Sequence, residues 1–134
     1  MQNRDLASDH VRRAEARLGA VDALFDRRSW ADVVRESQEV VELALKGLLR
    51  AHGVDPPRIH DVADVLLNER ARLPEALEVD LLVHASRSLR RDRELAFYGT
   101  DDLTPSDFYK EADATAARVL ARRVVAIVRP HVSA

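Results

Sequence analysis

An all-α antiparallel up-and-down bundle, four long helices plus a short fifth, is the fold class this sequence predicts, on three observations. Apolar residues recur at alternating spacings of three and four through four long segments, the mark of helices with one buried face. Of 134 residues, 46% are apolar and 33% charged but only 4% aromatic, which favours helix over strand and requires an aliphatic core of Ala, Val and Leu. Gly53, Pro56, Pro57, Pro74, Gly99 and Pro130 punctuate those segments. The length suits a single helical domain spanning 1–134, with a core large enough to need no metal or disulfide.

The first helix is expected from about Asn3 to Arg27, where Ala7, Val11, Ala14, Leu18, Val21 and Phe25 share a face. Gly19 lowers helix propensity there but would let a neighbouring helix approach closely. Ser29 is a good N-cap for the second helix, its hydroxyl accepting from free amides of the next turn, with Asp32 at the positive end of the dipole. That helix should run to about His52 and stop at Gly53. Val33, Val40 or Val41, Ala44, Leu45 and Leu48 form its buried stripe, while Arg35, Glu39, Glu42, Lys46 and Arg50 fall opposite, as a solvated face. Glu42 and Lys46 are an i, i+4 pair in the favourable order.

The connector VDPPRIH (Val54 to His60) cannot be helical through its two prolines. Asp61 then caps a short third helix, about Val62 to Arg70. His60 beside Asp61 lacks the convergent ligands of a metal site, so it reads as a histidine packing a helix start. Pro74 opens the fourth helix at a position where its missing amide costs nothing, with Glu75 and Glu78 in the first turn. Thr104 or Ser106 caps a last helix with Pro105 or Asp107 in its first turn, running to about Val128 before Pro130. Its buried residues should be Tyr109, Ala112, Ala116, Val119, Leu120, Val124 and Ile127.

The stretch RSLRRDRELAFYG (Arg87 to Gly99) closes the fourth helix and concentrates the chemistry. Leu77, Leu81, Ala85, Ser88, Asp92 and Leu95 lie on one stripe, widened by Leu82, Leu89 and Ala96. Asp92 thus stands where an apolar residue is expected and needs a partner, since an unpaired buried carboxylate costs several kcal/mol or protonates. Arg87, Arg91, Glu94 and Tyr98 project together on another face, and Arg90 and Glu94 form an i, i+4 pair. Salt bridging within the monomer and phosphate binding are equally compatible with that face.

Twenty-one basic against 23 acidic residues give a formal charge of -2, which argues against a generally basic nucleic-acid binder but permits a local basic patch. The absence of cysteine excludes disulfides, thiol nucleophiles and Cys-ligated zinc. No apolar run reaches the length of a membrane span and MQNRDLASDH has no signal-peptide apolar region, so a cytoplasmic location is expected. Glycine-rich phosphate loops, HExxH and GxSxG are missing, and no helix carries two of the five histidines at i, i+4. No metal or other cofactor is expected.

Three stretches together resemble the HEPN family, the higher eukaryote and prokaryote nucleotide-binding domains. They are SQEVVELALKGLLRAHG (Ser37 to Gly53), PPRIHDVADVL (Pro56 to Leu66), and RELAFYG (Arg93 to Gly99) with FYKEADATAARVLARRVV (Phe108 to Val125). They cover most of the chain in the family's order. The resemblance implies an antiparallel bundle of four or five helices, a homodimer, and a small nucleotidyltransferase as partner in a toxin-antitoxin-like pair.

Many members are metal-independent ribonucleases that use an Arg, four to six residues, then His. Arg93 matches the arginine, but after four intervening residues the chain has Tyr98. A phenol with a reference pKa of about 10 is protonated at neutral pH and does not replace imidazole as a general base. Arg4 and His10 have the family's spacing but lie on the first helix, outside its site. Three readings follow. The first is a nucleotide-, RNA- or partner-binding protein in which Arg87, Arg90, Arg91 and Arg93 neutralise phosphate, Tyr98 stacks or hydrogen-bonds, and Asp92 and Glu94 orient arginines. The second is a divergent endoribonuclease with a composite dimer site using Arg93 and Tyr98. The third is a purely structural helical interaction module.

Overall fold

The computed structural model describes residues 3–58, 61–98 and 103–132, with the side chains of 3 and 91–98 left aside. Four long helices, α1 (Asn3–Asp26), α2 (Trp30–Ala51), α4 (Val79–Tyr98) and α6 (Glu111–Val128), form the bundle. Two short ones, α3 (Val62–Asn68) and α5 (Pro105–Phe108), lie in the connections, and there is no strand among the described residues.

α2 is the central helix, packed by α1, α4 and α6. Its Val33, Val40, Ala44, Leu45, Leu48 and Leu49 are all inaccessible to solvent, and each such Val or Leu side chain contributes about 1.5–3 kcal/mol by leaving water. A helix surrounded on three sides has little room for a solvated face. Of the polar residues expected to lie in water, Arg35, Glu39, Glu42, Lys46 and Arg50 are all only partly accessible.

α1 buries the stripe read from its sequence: Ala7, Val11, Ala14 and Val21 are in the core, with Leu18 and Phe25 packed against it. The close approach to α2 occurs elsewhere than expected. Nothing stands within 4 Å of a Cβ built on Gly19, whereas one built on Gly47 would meet the Ala7 carbonyl oxygen at 3.0 Å and Val11 Cγ2 at 3.0 Å.

α1 and α2 end in related ways. Gly53, at φ 77°, lets its own amide reach Arg50 O at 3.2 Å and the Val54 amide reach Leu49 O at 2.9 Å, which closes α2. At the end of α1 the equivalent left-handed residue is Arg28, at φ 59°, with Ser29 N bonded to Leu24 O at 3.0 Å. A side chain in that conformation costs roughly 1–2 kcal/mol. Arg28→Gly is therefore expected to raise stability by up to about 1 kcal/mol after its larger unfolded-state entropy is counted, read as a higher urea midpoint at unchanged slope. Ser29 does occupy the N-cap of α2, but its hydroxyl donates to Asp32 Oδ2 at 2.6 Å instead of accepting from amides.

Asp61 caps α3 as expected, accepting from Ala63 N at 3.0 Å; His60 lies outside the described residues. Pro74 does not open α4. It begins a turn in which Leu77 N reaches Pro74 O at 3.1 Å, and α4 starts at Val79. The buried side of α4 centres on Leu82, Ala85, Ser86 and Leu89.

The last segment departs most from expectation. Thr104 caps only the four-residue α5, and Tyr109 and Lys110 are extended, at ψ 137° and 171°. This break carries the Tyr109 ring into the core, 3% exposed, and α6 restarts with the Asp113 carboxylate accepting from Lys110 N at 2.9 Å. The restart turns the helix. Its buried residues are Ala114, Ala117, Ala121, Val124, Val125 and Val128, while Ala112, Ala116 and Val119 are exposed and Leu120 and Ile127 partly so.

Candidate nucleic-acid interface

The basic half of α4 reaches two neighbouring helices through two arginines. Arg87 Nη2 lies 2.9 Å from Asp64 Oδ1 on α3, an exposed pair with half of the arginine side chain and more of the carboxylate in solvent. Arg90 Nη1 lies 3.6 Å from Glu42 Oε1 on α2, and Lys46 Nζ lies 3.9 Å from Glu42 Oε2. The i, i+4 pair expected within α2 thus forms, and α4 adds a second cation to it.

Glu42 is the anion of this cluster, with only 15% of its side chain exposed. Burial pushes its carboxyl above the ordinary carboxylate range, and Lys46 and Arg90 partly offset that. Arg90 is consequently held by a desolvated partner, Arg87 by an exposed one. An exposed pair is worth about 0–1 kcal/mol, so Asp64 holds Arg87 weakly.

Arg91, Asp92, Arg93, Glu94 and Tyr98 belong to α4 by backbone, but their side chains lie outside those described, as does the whole of Gly99. The pairings expected for Asp92 and for Arg90 with Glu94 rest on those side chains. Among the expected site residues the structure therefore positions Arg87 and Arg90. Both have carboxylate partners within the chain.

Sequence reasoning missed Asp64 as the acceptor for Arg87, because residues 23 apart on different helices carry no common spacing. It also treated Glu42 as solvated. A second polar set on α4 went unnoticed: Ser88 Oγ lies 3.4 Å from His84 Nε2, and both border a groove against α6 that Asp113 shares. The i, i+4 spacing of His84 and Ser88 was the available signal.

His10, the other histidine with an arginine at the family's spacing, sits at the α1–α2 crossing near Gly47. Burial lowers its pKa, and the cations Arg50, Arg13 and Lys46 act in the same direction against Asp9. Among the described residues there is no group of three acidic or histidine side chains able to hold a metal ion, and no helix is long and apolar enough to cross a membrane.

Comparison with known proteins places these features in a family. The family model described as HEPN domain matches residues 7–131. The fold is similar to that of TT1696 from Thermus thermophilus, with TM-score 0.74 and 27% identity, covering 93% of this chain and 97% of that one. It is similar also to ST0689, an archaeal HEPN homologue, with TM-score 0.70 and 22% identity over 95% of this chain and 98% of the other. No curated protein matches the sequence.

Proposed function

This chain belongs to the HEPN domain family, and from that premise we propose that it binds nucleotide or RNA through the arginine-bearing half of α4. In this reading it is a single HEPN-like domain that forms a homodimer and works beside a small nucleotidyltransferase in a toxin-antitoxin-like pair. Arg87, Arg90, Arg91 and Arg93 bind phosphate, Tyr98 stacks on a base or hydrogen-bonds to it, and Asp92 and Glu94 orient arginines. The observation that carries the reading is the loosely held Arg87, whose exposed pairing with Asp64 leaves a cation ready for exchange beside three further arginines of the same helix.

Binding is favoured over cleavage because a tyrosine occupies the position of the family's ribonuclease histidine. The purely structural reading draws on the same ion pairs, Arg87 with Asp64 and Arg90 with Glu42, and one experiment separates all three. Single-stranded RNA binding is measured for the wild type and for Arg91→Ala plus Arg93→Ala across a salt series. The double variant is expected to bind at least about tenfold more weakly, with the slope of log K against log salt reduced by about 1.4, the loss of two phosphate contacts. Unchanged binding of both RNA and partner protein would leave the structural reading. RNA cleavage without metal that Arg93→Ala abolishes would establish the endoribonuclease reading.

A further inference from the structure

A second place on α4 carries chemistry that the arginine face does not use. On the flank facing α6 a groove of about 230 Å³ opens between the two helices, with α2 beneath. It exists because the residues at the seam, Ser88, Ala116 and Ala117, are too small to fill it. Its floor is apolar and buried, made by Val34, Leu89, Tyr109 and Ala117, each at most 4% exposed. Its rim is polar: His84, Ser88 and Asp113.

These properties restrict the occupant. Ligand pockets for drug-sized molecules run to about 300–1,000 Å³, so this groove takes one ring system and leaves the rest of a larger ligand outside. The buried floor suits the face of a flat ring, with Tyr109 braced edge-on by Phe108 at 5.0 Å and 67°. An apolar side chain of a partner protein would satisfy the floor but leave the rim unpaired. The rim calls for a donor and an acceptor on the ring's edge. Asp113 spends Oδ2 on the Lys110 amide and keeps Oδ1 as an acceptor, while the Ser88 hydroxyl can donate to a ligand in the His84 tautomer whose Nε2–H donates to the serine oxygen.

We propose that the α4–α6 groove is a nucleobase pocket selecting bases that carry an exocyclic amine, with Asp113 accepting from the amine and Ser88 donating to the adjacent ring nitrogen. Adenine and cytosine present that edge; hypoxanthine and uracil present a carbonyl there, which Asp113 repels. The assignment rests on the nucleotide- or RNA-binding reading and gives it a base-recognising part. Position 91 follows Ser88 by about 4.5 Å along the helix axis, so the groove lies within one turn of the arginine-bearing part of α4.

The test is an NMR titration of the full chain with adenosine and inosine monophosphates, joined to binding of oligo-A and oligo-U RNA. The adenine ligand is expected to bind about tenfold more tightly than its inosine counterpart, with the largest shifts at residues 84, 88, 113 and 116. Asp113→Asn, whose oxygen goes to the Lys110 amide and whose NH2 then faces the base, is expected to abolish or reverse that discrimination. Ala116→Phe, at an exposed position on the lip, is expected to abolish adenine binding while leaving the melting curve unchanged. Base-selective RNA binding lost in Ala116→Phe supports the pocket for a base within a strand even where free mononucleotides bind too weakly to titrate. Equal binding of the two bases, or full affinity in Ala116→Phe, overturns the pocket while RNA binding itself stands. Absence of any nucleotide or RNA binding overturns both.

Discussion

Gly47→Leu is expected to lower the free energy of unfolding by about 3 kcal/mol or more, the upper range for overfilling a packed interior. A Cβ at this position would stand 3.0 Å from the Ala7 carbonyl oxygen, 3.0 Å from Val11 Cγ2 and 3.3 Å from His10 Cβ. The first of these is backbone, so relief requires α1 to move away from α2 and loosens the burial of Ala7, Val11 and Ala14 along the same seam. Alanine makes the mechanism visible. Gly47→Ala gains about 1 kcal/mol of helix propensity against a milder overlap, so its net change should be far smaller. Urea unfolding of the three proteins reads the series, and a leucine variant within about 0.5 kcal/mol of wild type would show that the seam yields.

Charge reversal at Glu42 is the second large effect. Glu42→Lys sets three cations together, since Lys46 and Arg90 lose the carboxylate that both approach. The lysine places a cation where only 15% of the side chain is exposed, beside two cations that solvent reaches, 34% and 43% exposed, and after that screening the cost is about 2 kcal/mol or more. Glu42→Gln behaves differently because it removes the charge without reversing it. The native state raises the Glu42 pKa, so between the ordinary glutamate value and the raised one the folded protein holds more protons than the unfolded chain. Stability from this group is therefore present at low pH and lost as pH rises through that window. The glutamine variant lacks the loss and is expected to gain on the wild type as pH rises from the ordinary glutamate range to neutrality in paired thermal melts. A difference that is flat with pH would remove Glu42 from the account. His10 acts with the opposite sign: its pKa is lowered, so its contribution is full above the ordinary imidazole range and fades as pH falls below it.

Helix type and the four long helices were legible in the sequence because burial of one helix face requires apolar residues every three or four positions, and α1 keeps that pattern cleanly through Ala7, Val11, Ala14 and Val21. Termini set by local chemistry were legible too. Gly53 at φ 77° and Asp61 accepting from Ala63 N each act through their own few residues. α6 shows where such reasoning fails. Phe108, Tyr109 and Lys110 contain no breaker, yet the chain is extended at Tyr109 and Lys110 so that the tyrosine ring enters the core, and the face buried by the following helix changes with it.

The site divides along the same line. The arginine run was visible because charge is a property of each residue, and the family membership because three stretches kept their order along the chain. The sequence by itself determined an all-helical chain, most of its helix ends and a basic run late in α4. Only the tertiary structure decided that Asp64 and Glu42 receive Arg87 and Arg90, that Gly47 and not Gly19 is the crossing point, and that His84, Ser88 and Asp113 border one groove. Each of those depends on how helices distant in sequence turn toward one another, and periodicity within a helix specifies which face is buried without specifying what it meets.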